Sequence, residues 1–248
     1  MKSLYLVGNW KMSGSRALIE AFASSWSLAQ DDSLTVAIAP PAGYLERAVD
    51  RFPGGLGVAA QDCSAHENGA FTGEMSAQML AELGCAMVII GHSERRQYHG
   101  ESDELIARKL VRARESGLIP ILCVGESDAE RRAGRAQSVV RAQLQGLSAV
   151  SRGPLWIAYE PVWAIGTGLT ATPEQAGEMH ASIRSELAAL WSDDGLSVPI
   201  LYGGSVKPDN ALALFSQPEI SGALVGGASL ELASFHAISE AALASQRG

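Results

Sequence analysis

The feature that most constrains this chain is a series of short apolar stretches at nearly even spacing. Residues 4–7, 35–39, 57–60, 86–90, 119–124, 155–159, 198–202 and 222–225 are rich in Val, Ile, Leu and Ala and show no polar alternation. A strand that is apolar on both faces must be covered on both, which is the mark of a parallel sheet flanked by helices. Between the runs lie segments with helical periodicity. Residues 102–116 form one, and residues 173–190 another, opened by Thr172 as N-cap, Pro173 in the first helical position and Glu174 in the first turn. Eight strand-then-helix units in 248 residues average about 31 residues each, the length that a (β/α)8 barrel requires. A doubly wound sheet usually stops at five or six strands. With no linker, low-complexity segment or break in composition, a single α/β domain over residues 1–248 is expected, its eight parallel strands ringed by helices.

Charge and cysteines exclude several function classes. The net charge of -8 and a pI near 5.2 argue against nucleic acid or an anionic membrane as partner, since both require a basic stripe. Charged runs such as Glu130-Arg131-Arg132 are mixed in sign and read as solvated helix faces. Cys63, Cys85 and Cys123 are isolated, with no C-x-x-C pair and no histidine at ligand spacing, so reduced buried thiols are expected rather than a metal site. The first apolar run is too short for a secretion signal, and no run approaches the roughly 18 apolar residues of a membrane span. A cytoplasmic protein is expected.

In such a barrel, functional groups sit on the loops that follow the carboxyl ends of the strands. After the first run comes Gly8-Asn9-Trp10-Lys11, where alternation would put Asn9 and Lys11 on one face if the strand extends that far. After the fourth comes Gly91-His92-Ser93-Glu94. Ser93 suits the N-cap of a short helix and Glu94 its first turn, and the positive end of that helix would keep the neighbouring imidazole neutral, a proton donor at neutral pH. After the sixth comes Glu160, held extended by Pro161. After the seventh and eighth come Gly203-Gly204-Ser205 and Gly226-Gly227-Ala228, paired glycines that let backbone N–H groups approach a phosphate. Taken together these loops supply a cation, a neutral electrophile, a carboxylate base and a phosphate cradle. With no nucleotide fingerprint and no metal cluster, the set suits proton abstraction next to a carbonyl in a small phosphorylated substrate, without a cofactor.

The segments GNWKM, GAFTGE, GHSERR, YEPVWAIGTG, YGGSV and VGGASL, in this order across nearly the whole chain, resemble the triosephosphate isomerase family, whose fold is the TIM barrel. The resemblance implies Glu160 as the base that moves a proton between adjacent carbons and His92 as the neutral electrophile at the carbonyl. It makes Lys11 the positive charge for the enediolate, Asn9 a further polar contact, and Glu94 a residue that orients the lysine or assists proton transfer. Backbone N–H groups of Gly166, Ser205, Gly226 and Gly227 would hold the phosphate. The reaction implied is the interconversion of dihydroxyacetone phosphate and glyceraldehyde 3-phosphate, a step of glycolysis and gluconeogenesis. Two positions depart from the family pattern. Leu169 stands where many members have lysine, and Ala77 where many have proline.

The resemblance also implies two features beyond the reacting groups. The segment Pro161, Val162, Trp163, Ala164, Ile165, Gly166, Thr167, Gly168 would close over bound substrate as a lid, exchanging water for apolar cover, with Tyr202 latching its far hinge near Ala171. The long connection from Gln61 to Glu74 would carry Phe71 and Thr72 into a partner subunit near the Asn9 and Lys11 loop, so a homodimer is expected. Two other classes stay open at this point. A phosphate-binding barrel with dead chemistry would have to lack Lys11, His92 or Glu160, and none is lacking. A barrel aldolase would need a strand-end lysine buried enough to form a Schiff base.

Overall fold

The computed structural model describes residues 2–28, 31–164 and 171–246. Eight parallel strands, β1 (Leu4–Asn9), β2 (Leu34–Ala39), β3 (Leu56–Ala60), β4 (Met87–Ile90), β5 (Ile119–Val124), β6 (Trp156–Tyr159), β7 (Ile200–Tyr202) and β8 (Gly222–Val225), pair in chain order, and β8 returns to β1 to close the barrel. Val7 lies opposite Ala37 on one side and Leu224 on the other. Closure leaves no edge strand to be covered.

The absence of polar alternation in the runs is explained by what each face meets. One set of side chains, including Val7, Ala37, Ala59, Ile89, Cys123, Ala158, Leu201 and Leu224, fills the barrel interior. The alternating set, including Leu6, Ile38, Val58, Val88, Leu122, Ile157 and Ile200, packs against the helices. Each such buried aliphatic side chain contributes roughly 1.5–3 kcal/mol. Strand ends differ from the apolar runs by one or two residues for identifiable reasons. β7 begins at Ile200 rather than 198, because Pro199 has no N–H to pair and only its carbonyl takes part, accepting from Ile157 at 2.9 Å.

The described helices are α1 (Arg16–Ser25), α2 (Leu45–Arg51), α3 (Ala77–Glu82), α4 (Ser93–His99), α5 (Asp103–Glu115), α6 (Asp128–Arg132), α7 (Ala136–Leu144), α8 (Pro173–Trp191), α9 (Asp193–Ser197), α10 (Pro208–Phe215) and α11 (Leu232–Ser245). Residues 102 and 116, read as helical from the sequence, are the caps of α5, and Ser102 accepts from the Leu105 amide. Thr172 caps α8 as expected and forms a reciprocal box with Gln175. Ser76 caps α3, which places Ala77 at its first position, where a proline would be accommodated. None of these helices is long and apolar enough to cross a membrane.

Several helices are too short to be stable alone and are held by tertiary contacts. α4, of 7 residues, carries the segment from the fourth loop. Arg95 bonds Glu101 at 2.6 Å, and Glu101 also receives the buried Lys109 of α5 at 2.6 Å. Arg96 donates to the Gly91 and Cys123 carbonyls at 2.9 and 3.1 Å, and reaches Asp103 at 2.6 Å. These bonds fix the amino end of α4 over the barrel mouth.

Candidate active site

At the end of β1 the backbone leaves the strand, and Lys11 adopts a left-handed φ of 50°. Extended alternation therefore stops at Asn9, and the expectation that Lys11 follows it on one strand face is corrected. A non-glycine residue in this conformation costs roughly 1–2 kcal/mol, and its surroundings offset that cost. The Asn9 side-chain oxygen accepts from the Lys11 amide at 2.9 Å, and Gln61 donates to both the Lys11 and Ala39 carbonyls at 2.8 Å. Trp10, buried against Phe22 and Phe52, donates its indole N–H to the Ser229 carbonyl at 3.0 Å. The turn so made sends the Lys11 ammonium to Glu94 at 2.7 Å.

At the end of β4, His92 rather than Ser93 is the N-cap of α4. Its Nδ1 accepts from the Glu94 amide at 3.2 Å, and Ser93 is the first helical residue. An imidazole nitrogen that accepts from a backbone N–H carries no proton, so the ring proton resides on Nε2. That nitrogen faces Glu160 Oε1 at 2.9 Å. The N-cap preference for Ser pointed one residue too far, because a histidine ring here does what a short hydroxyl usually does.

Glu160, at the end of β6, is 2% exposed. Its Oε1 accepts from His92 Nε2, and its Oε2 accepts from the Ser93 amide at 2.8 Å. Burial alone would favour the neutral acid, but His92, the Ser93 amide and Lys11 outweigh it and hold the carboxyl below its usual range. Two glycines make room here. A Cβ at Gly125 would lie 1.8 Å from the Glu160 carbonyl oxygen, and one at Gly203 would lie 2.9 Å from Glu160 Cγ. Beneath lies Cys123, whose thiol is pushed up by burial and then by the Glu160 charge. Cys63 and Cys85 are buried as well, their thiols raised by burial to about 12 and about 11.

Asn9, Lys11, His92, Glu94 and Glu160 line a cavity of about 430 Å³ together with Ala164, Gly203, Gly204, Ser205, Val206, Lys207, Leu224, Gly226, Gly227 and Ala228. The structure thus brings Asn9, Lys11, His92, Glu94 and Glu160 to one wall, and Ser205, Gly226 and Gly227 into the same space. Of the expected lid, Val162–Ala164 form a single 3-10 turn and Ala164 reaches the cavity, whereas Pro161, Val162 and Trp163 do not line it. Ile165, Gly166, Thr167 and Gly168, and with them Leu169, lie outside the described residues. The Tyr202 hydroxyl is buried without a hydrogen-bond partner among the described residues. Burial pushes it up to about 12, and the Ala171 backbone opposes this without completing a bond. Phe71 and Thr72 do not line the cavity. Phe71 is half-exposed and stacks on His66 with ring centroids 3.7 Å apart.

Two residues of the site went unread in the sequence. Gln61 follows β3 and Glu126 follows β5, and both follow the rule that loops after strands carry function. Glu126, fully buried, accepts from the Tyr159 hydroxyl at 3.1 Å, from Trp163 Nε1 at 3.0 Å and from Arg131 at 3.0 Å, while its carbonyl accepts from the Val162 amide at 3.2 Å. Arg131 also lies over the Trp163 ring, 4.6 Å from its centroid. The near end of the expected lid is therefore anchored on one residue, Glu126, through its carboxylate and its backbone carbonyl.

A closed barrel with a buried carboxylate, a neutral imidazole donor and an ammonium at its carboxyl mouth defines a class, that of barrel enzymes that move protons at a carbonyl-bearing substrate. Comparison with known proteins makes this specific. The chain matches the family of triosephosphate isomerase over residues 4–242. It is 50% identical over 255 residues to the triosephosphate isomerase of Xanthomonas campestris pv. campestris (strain 8004), covering 98% of this chain and all of the relative. To the triosephosphate isomerase of Stenotrophomonas maltophilia (strain K279a) it is 49% identical over 253 residues, with the same shares covered. The chain belongs to the triosephosphate isomerase family.

Proposed function

We propose that this chain is a triosephosphate isomerase that interconverts dihydroxyacetone phosphate and D-glyceraldehyde 3-phosphate through an enediolate, without a cofactor. The observation that carries the reading is the meeting of Glu160 Oε1 and His92 Nε2 at 2.9 Å in a cavity that also holds Lys11 and the two glycine loops. A substrate carbonyl oxygen placed at His92 Nε2 takes the proton that Glu160 now accepts. Glu160 must then give up both its hydrogen bonds, which are what hold its proton affinity down. Freed of them in a dry cavity, the carboxylate becomes the stronger base that abstraction from carbon needs. Negative charge develops on the former carbonyl oxygen, where the His92 N–H and the Lys11 ammonium stabilise it. Glu94 orients Lys11 through the 2.7 Å pair, and Asn9 fixes the backbone turn that presents it. Ser205, Gly226, Gly227 and Gly166 are the proposed phosphate donors.

Residues 1–248 act as a single catalytic domain in this reading, in the cytoplasm and as a homodimer through Phe71 and Thr72. The dimer is supported by Met12, Phe71 and Tyr98, large apolar residues that are 96%, 40% and 72% exposed, and by a second cavity of about 450 Å³ lined by Gln61, Asp62, His66 and Arg95, whose His66 stacks on Phe71. A coupled assay for glyceraldehyde 3-phosphate formation, run in EDTA, tests the activity. Turnover that survives chelation is expected. No turnover, or turnover restored only by a particular metal, would overturn the proposal.

A further inference from the structure

Lys207 stands at the rim of the cavity, in the loop between β7 and α10. Its backbone is held in place. The Lys207 amide donates to Asn210 Oδ1 at 2.8 Å, and Asn210 Nδ2 donates to the Ser205 carbonyl at 3.0 Å. Pro208 fixes the first position of α10. These bonds tie the lysine to Ser205, on the side of the cavity read as the phosphate site, while its side chain remains exposed.

The electrostatics of the mouth single this residue out. The charged residues that line the cavity are Lys11, Lys207, Glu94 and Glu160, so their formal charges cancel. Lys11 is already paired with Glu94 at 2.7 Å. Glu160 is enclosed by His92 and the Ser93 amide. No carboxylate of a described residue lies within ion-pair distance of the Lys207 ammonium, so of the two lysines lining this mouth it is the one without a carboxylate partner among the described residues. The whole chain carries a net charge of -8 and repels a phosphate dianion, so a favourable approach depends on local cations.

We propose that Lys207 is a substrate-guiding residue, whose ammonium draws the phosphate dianion toward the Ser205 and Gly226 side of the cavity and takes no part in proton transfer. This rests on the phosphate-site reading given above. A unit charge some 8–10 Å from a dianion in water changes its encounter by about threefold to fivefold at low ionic strength, and salt removes most of the effect.

The test compares the wild type with K207Q, K207E and K207R, using glyceraldehyde 3-phosphate and the phosphate-free glyceraldehyde, across sodium chloride concentrations. At about 10 mM ionic strength, K207Q is expected to lower kcat/KM for the phosphorylated substrate about threefold and K207E about tenfold, with kcat unchanged. K207R should keep the wild-type value. The losses should shrink to less than twofold at about 300 mM, and kcat/KM for glyceraldehyde should not change. A wild-type value for K207E at low salt, a loss that salt does not relieve, or an equal loss with glyceraldehyde would overturn the role. Competitive inhibition of the wild type by inorganic phosphate reports on the phosphate site itself. Its absence would overturn the underlying reading, independently of what the Lys207 variants do.

Discussion

Single residues in this site are defined by contacts shorter than a side chain's own reach, and small displacements have large expected effects. Glu160→Asp withdraws the carboxylate by one methylene while keeping its charge, so the base no longer spans the gap to the substrate carbon. Misplacement of about 1 Å costs on the order of 10²-fold. We predict a fall of that size in kcat with a modest change in KM, and steady-state kinetics showing an unaltered kcat would remove Glu160 as the base. Gln61 acts at one remove, through the two carbonyl bonds that hold Lys11 in its left-handed turn. Gln61→Ala should lower stability by about 1–2 kcal/mol and reduce kcat/KM, as the Lys11 backbone relaxes and its ammonium leaves the cavity. Denaturant unfolding together with kinetics checks both, and loss of stability with unchanged kcat/KM would assign Gln61 to folding alone.

Among the elements, the lid segment and α8 carry the sharpest expectations. The lid proposal predicts that deleting residues 165–168, with a short bridge, leaves a folded barrel in which isomerisation collapses. An enediolate phosphate open to water eliminates its phosphate, so methylglyoxal and inorganic phosphate should appear as products. A shortened enzyme that stays active and releases no phosphate would refute the lid. α8 buries His180, whose Nδ1 lies 3.2 Å from the Glu219 carbonyl and whose ring packs edge-on against Tyr159. Burial pushes its pKa from 6.5 down to about 3, against the opposing Glu219 carbonyl. Below pH 6.5 the unfolded chain binds a proton that the folded chain refuses, so this residue erodes stability as pH falls and ceases to do so below about 3. The loss between pH 7 and pH 5 is about 2 kcal/mol. His180→Gln should flatten the pH dependence of unfolding free energy by that amount over this interval, and an unchanged profile would place the imidazole in a wetter environment.

For the whole molecule, the prediction is that the site works as part of a dimer. Thr72→Arg puts a charge at the tip of the connection that is proposed to enter the partner. It should shift sedimentation toward the monomer and lower kcat in parallel. A monomer with full activity at nanomolar concentration would rule out the dimer as a requirement for catalysis. The fold gives this arrangement a physical basis. Ser64 closes the base of the connection through its amide to the Met75 carbonyl at 2.8 Å and through its hydroxyl to Glu74, leaving Phe71 exposed on the tip.

The sequence by itself determined the architecture and the inventory. Eight apolar runs, covered on both faces, allowed little except a closed parallel barrel, and reading the residue after each run found Asn9, Lys11, His92, Glu160 and the glycine loops. Local rules also located the cap at Thr172. The tertiary structure alone decided how these groups meet. β4 and β6 are not neighbours in the sheet, since β5 lies between them, yet His92 Nε2 and Glu160 Oε1 come to 2.9 Å across the mouth. The left-handed turn at Lys11 and the capping role of the His92 ring depend on partners at Gln61 and in α4 that no local pattern announces. Nothing local marks Glu126, which the fold encloses among Tyr159, Trp163 and Arg131. Periodicity records which faces of an element leave water, because burial acts residue by residue along the chain. Convergence of atoms from distant segments depends on the register and closure of all eight strands together, and that information exists only once the barrel has formed.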